Sequence, residues 1–106
     1  MFRDSHLKLR SFTIATLVTE DTLEKTVTIL KALGHPVRLQ LVNILKNGEC
    51  NVGEVVKILE SGQPYTSNQL NILKRCGILK SRRYGSKTYY SLANKSIKRI
   101  VKSIII

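Results

Sequence analysis

No aspartate or glutamate occurs after Glu60, so residues 61–106 carry ten Lys or Arg with no opposing charge. That absence rules out a balanced surface over this half. It points to a polyanionic partner, nucleic acid before a membrane surface. A long apolar run is also missing: nothing approaches the ~20 residues that cross a bilayer. Phe12–Val18 is too short for a secretory signal and holds two threonines. A cytoplasmic protein with no membrane partner is therefore expected. Cysteine and histidine are scarce, with Cys50, Cys76, His6 and His35 the full set. Soft metals want thiolate or imidazole clusters, so no metal site and no cofactor are expected. There is no Ser/His/Asp set, no carboxylate pair beside a histidine and no Gly-rich phosphate loop, which argues against an enzyme.

What is present fits one small domain. The chain has 106 residues, 42% of them hydrophobic, and a formal net charge of +11. That length can bury a core without disulfides or structural metal. Residues 1–60 hold eight basic and seven acidic residues, so the excess charge belongs to the second half.

Residues 1–19 read as an N-terminal arm, a mobile or extended segment or extra packing on a dimer, and residues 20–106 as the folded domain. Asp21 and Glu24 have capping-box spacing ahead of a first helix. Leu23, Val27, Leu30 and Leu33 recur along it at helical spacing. Gly34 is expected to end it as a left-handed C′ residue. His35 caps a second helix with Pro36 in its first turn and Val37, Leu41, Ile44 and Leu45 inward. Asn51 and Glu54 mark the start of a third helix. After Ser61–Gly62 a fourth starts near Gln63, with Thr66, Leu70 and Leu73 on its inner side. Two short helices joined by a tight turn form a helix-turn-helix. Ile78–Tyr84 and Lys87–Leu92 then read as a hairpin turning at Gly85–Ser86. A last helix spans 94–106 with an isoleucine-rich stripe. The expected fold is mainly α with a small β-hairpin, a winged helix-turn-helix.

At 100° per residue, the face of the fourth helix opposite Leu70 carries Pro64, Tyr65, Asn68, Asn71 and Arg75, flanked by Ser67. Such amides and hydroxyls read base edges in the major groove, although a plain solvated face has the same composition. Lys74, Arg75, Arg82, Arg83 and Lys87 suit phosphates, with Asn51 and Ser86 as further phosphate contacts. Arg82 and Arg83 are adjacent on a strand and point to opposite faces, so one of them is expected to pack or pair instead.

The order helix, helix-turn-helix, hairpin, helix resembles the ArsR/SmtB family of winged-helix transcriptional repressors. The resemblance runs without a gap through LKALGHPVRLQLVNIL (30–45), NGECNVGEVVKIL (47–59), QPYTSNQLNILKRCGIL (63–79) and RRYGSKTYYSL (82–92). It implies a homodimer paired through first and last helices, bound to an inverted-repeat operator in double-stranded DNA. By position it implies base contacts from Gln63, Ser67 and Asn68 and a wing at Arg83–Lys87. Pro64 departs from the usual serine or threonine. A dimer face is expected from Leu23, Val27, Leu30, Ile97, Ile100, Val101, Ile104 and Ile105; packing within the protomer is the alternative. Where metal-sensing relatives carry an ELCVC box, this chain reads Glu49–Cys50–Asn51–Val52–Gly53, with the two ligand positions lost. The function expected is a sequence-specific, dimeric repressor of its own or neighbouring promoters. Two alternatives stand beside it: a thiol-redox repressor using Cys50 and Cys76, and a weakly specific architectural DNA-binding protein.

Overall fold

The structure, a computed structural model, describes residues 17–105. The expected arm lies almost wholly outside the described residues, as does Ile106. The described residues form α1 (Glu20–Leu33), α2 (Pro36–Leu45), β1 (Cys50–Asn51), α3 (Val52–Leu59), α4 (Gln63–Arg75), β2 (Leu79–Tyr84), β3 (Lys87–Leu92) and α5 (Lys95–Ile104). This is the winged helix-turn-helix expected, with one addition. The two-residue β1 pairs antiparallel with β3, Cys50 opposite Tyr90 and Asn51 opposite Tyr89. The sheet order is thus β1-β3-β2.

Local chemistry sets the helix ends. α1 begins two residues earlier than the Asp21–Glu24 spacing suggests. Its N-cap is Thr19, whose hydroxyl accepts from the Thr22 N–H, while Asp21 pairs with Lys25 one turn on. Gly34 is no left-handed cap: its φ is −76°. Glycine fits there because a Cβ would sit 3.3 Å from the Leu30 carbonyl oxygen. His35 caps α2, its Nδ1 accepting from the Val37 N–H at 3.2 Å. The capping box on α3 is complete, with Glu54 N–H donating to Asn51 Oδ1 and Asn51 N–H to Glu54 Oε1. Thr66 is fully buried in the first turns of α4, and its hydroxyl donates to the Gly62 carbonyl at 2.8 Å.

The core lies where α2, α3 and α4 meet the sheet. Leu41, Leu45, Leu70, Leu73, Ile78 and Leu92 are fully buried there, and each such side chain stabilises the fold by about 1.5–3 kcal/mol. Arg38 ties the helices together through polar groups. Its Nε donates to the Ala32 carbonyl at 2.7 Å and its Nη1 to Gln69 Oε1 at 3.2 Å. The second of these bonds anchors α4 to α2 and so holds the outward face of α4 in place.

Candidate nucleic-acid interface

A cleft of about 550 Å³ opens between the start of α3, the outward side of α4 and the β2–β3 hairpin. Asn51 lines it from the α3 cap, Gln63, Ser67 and Asn71 from α4, and Ser86 and Lys87 from the hairpin turn. Three separate stretches of sequence thus bring their expected DNA-facing residues to one concavity. Glu54 lines it too, its Oε1 accepting from the Asn51 N–H. A second groove, of about 520 Å³, continues along α4 between Asn68, Asn71, Lys74 and Arg75. Tyr65 is exposed in the first turn of α4. Lys57 and Thr88 also line the first cleft and are not among the residues expected from sequence. Lys57 could have been found from its place on α3, two residues past the inward Val55. Thr88 carries no such signal.

The hairpin separates its two arginines. Arg83 lies opposite Thr88 in the register and shares the face on which Thr88 and Tyr90 line the cleft. Arg82 takes the other face and is the arginine of the two that pairs within the protomer. Its guanidinium binds the Glu49 carboxylate, Nε at 3.0 Å from Oε2 and Nη2 on Oε1. It also lies 5.0 Å from the Tyr89 ring centre and 5.7 Å from that of Tyr84. The hydrogen bond from Arg82 holds the Glu49 carboxyl below its usual range, and Glu49 in turn raises Arg82. Asn71 is also constrained. The Tyr90 hydroxyl donates to its Oδ1 at 3.1 Å, leaving the amide N–H₂ as its free donor.

The residues expected to form a dimer face divide. Ile97 and Val101 are buried in the protomer's own core; these two are corrections, since a side chain with almost no exposed surface cannot meet a partner, whereas Ile105 is only half-buried against that core. Leu23, Val27, Leu30, Ile100 and Ile104 remain exposed, Leu30 by 60% and Ile104 by 52%. Cys50 and Cys76 are both free and half-buried. Cys50 sits on β1, whereas Cys76 lines an open cleft with Ile29, Ile97 and Ile100. Burial, then Glu54 and Glu49, push the Cys50 thiol up. Among the described residues no three His, Cys, Asp or Glu side chains gather as metal ligands would. Among them, too, no helix is long and apolar enough to cross a membrane.

Residues 35–81 match the family model described as bacterial regulatory protein, arsR family. An HTH-type transcriptional regulator of Methanocaldococcus jannaschii is 38% identical over 76% of this chain and 92% of its own length. The biofilm growth-associated repressor of Xylella fastidiosa is 34% identical over 92% of this chain and 88% of its own. A solved structure from Mycobacterium bovis is described as the homodimeric winged helix-turn-helix DNA-binding domain of a possible ArsR-family regulator. It superposes with a TM-score of 0.76 at 25% identity, covering 84% of this chain and 85% of that one.

Proposed function

The chain belongs to the ArsR family of bacterial regulatory proteins, and on that premise we propose that it is a dimeric repressor reading an inverted-repeat operator in double-stranded DNA. The observation that carries this reading is the cleft shared by the α3 cap, α4 and the hairpin. It gathers Gln63, Ser67 and Asn71 with Asn51, Ser86 and Lys87. Gln63, Ser67, Asn68 and Asn71 face base edges from the major groove, and Tyr65 adds an apolar contact at the start of α4. Lys74, Arg75, Arg83, Lys87, Ser86 and Asn51 hold the phosphates to either side. The M. bovis relative is homodimeric; here the exposed α1 and α5 stripe supports the same state, and a two-fold dimer reads two half-sites about 10 base pairs apart. Lacking ligands at Asn51 and Gly53, this member would answer to something other than a metal held in the α3 box.

In vitro selection from a random duplex library tests the proposal. An enriched palindrome is the expected outcome; retention of DNA without an enriched motif would favour an architectural protein. Ser67→Ala and Asn68→Ala should each relax the preference, by about 1–3 kcal/mol for a good base contact.

A further inference from the structure

The hairpin is joined to the helix-turn-helix by little sheet. β1 contributes two residues, paired only with Tyr89 and Tyr90. Arg82 reinforces that seam. It stands on β2, directly opposite Tyr89 on β3, and Glu49 immediately precedes β1. Strands lie ~4.8 Å apart, so β2 and β1 are separated by roughly twice that. The Arg82 and Glu49 side chains together bridge this distance over β3, with the guanidinium 5.0 Å from the centre of the Tyr89 ring and bonded to the Glu49 carboxylate. The ion pair therefore links β2 over β3 to the start of β1, on the face opposite Thr88 and Tyr90.

We propose that Glu49 and Arg82 are positioning residues for DNA binding: their ion pair fixes the angle of the hairpin to α4, and neither touches the DNA. The inference rests on the DNA-binding reading above and deepens it. Arg82 is exposed and cationic, so the obvious expectation is another phosphate contact. Its charge, however, is matched by Glu49, and its geometry is set by a neighbouring ring on each side. Exposed pairs add little to stability. The consequence of this pair lies in where it holds Arg83, Ser86 and Lys87, which share the hairpin end.

The two accounts of Arg82 predict opposite signs. Glu49→Gln removes a negative charge and frees Arg82. If the pair merely masks a phosphate contact, the variant binds operator more tightly and with a steeper salt dependence, which would overturn the proposal. If the pair aims the hairpin, binding weakens by about threefold or more with an unchanged salt slope and an unchanged melting temperature. Glu49→Arg and Arg82→Glu, alone and combined, give a second readout. Net charge alone ranks Glu49→Arg tightest. A positioning pair requires the combined variant to bind more tightly than Glu49→Arg, although it carries less positive charge. Should the unaltered protein retain no duplex at all, the DNA-binding reading fails first. Amide exchange of β1 then still tests the seam: faster exchange in Glu49→Gln is the expected result, and an unchanged rate sinks the latch.

Discussion

Several single residues act in this protein through a partner far away in sequence. Asn71 is a candidate base reader on the outward side of α4, and Tyr90 donates to its Oδ1 from the hairpin. With that oxygen engaged, Asn71 offers N–H donors, which suit the acceptors of guanine or thymine better than the donor–acceptor pair of adenine. Tyr90→Phe removes one hydrogen bond and should lower stability by about 0.5–1.5 kcal/mol. It should also broaden the selected motif at one position per half-site; an unaltered motif would mean that Tyr90 only packs. Burial raises the Tyr90 phenol above its ordinary value, so this donor persists throughout the neutral range. Cys50 gives a second prediction at the same scale. Its raised pKa keeps it a thiol at neutral pH, and the thiolate is the reactive form. Alkylation at pH 7.5 should be slower than for a cysteine in an unstructured peptide, as a timed mass-spectrometric assay would show. The stability sign follows from the same shift. The folded pKa lies above the unfolded one, so the unfolded chain loses its proton first. Stability is whole below the free-thiol value and falls as the pH climbs through and beyond it.

The elements divide the apolar residues between core and partner. Along α5, Ile97 and Val101 turn inward while Ile100 and Ile104 stay exposed, and α1 leaves Leu23, Val27 and Leu30 uncovered. A stripe of this size on two helices calls for a second surface. Ile104→Lys should yield monomers in sedimentation velocity and lose most operator affinity, without the loss of fold that a charge at Val101 would cause. An unchanged sedimentation profile would overturn the dimer proposed on this stripe. This division also shows what could be read in the sequence. Helical periodicity located the stripe, but a wide stripe does not say which edge belongs to the protomer. The helices, the hairpin and the outward side of α4 are legible because their signals are local: Asn51 with Glu54, Gly85–Ser86, Thr66 with Leu70. Features that pair distant segments are not. Glu49 and Arg82 are 33 residues apart, β1 is too short to show alternation, and nothing near Asn71 announces Tyr90. The Asp21–Glu24 spacing misled because Thr19 offers an equally good cap two residues earlier.

Across the whole molecule the charge is directional. Of the ten cations after Glu60, Lys74 and Arg75 lie on α4, Lys80, Arg82, Arg83 and Lys87 on the hairpin, and Lys95, Lys98, Arg99 and Lys102 on α5. Only some of these are placed to release a counterion from DNA. Lys87 lines the main cleft and Lys74 and Arg75 the groove beside it. Lys102 belongs to the last turn of α5, beyond the hairpin, and on the proposed reading it would add to the long-range field that speeds encounter without meeting a phosphate. Each phosphate contact contributes about 0.9 to the slope of log affinity against log salt. A two-fold dimer doubles the effect of any one substitution. Lys87→Ala should therefore flatten the slope by roughly 1.8, whereas Lys102→Ala should leave the slope almost unchanged and slow association. Titrations of one operator duplex between low and moderate salt, with association rates measured alongside, separate the two. Equal flattening by both variants would mean that the positive half of this chain acts as an undirected field. A drop near 0.9 for Lys87→Ala, half the dimer value, would mean that only one protomer engages its wing.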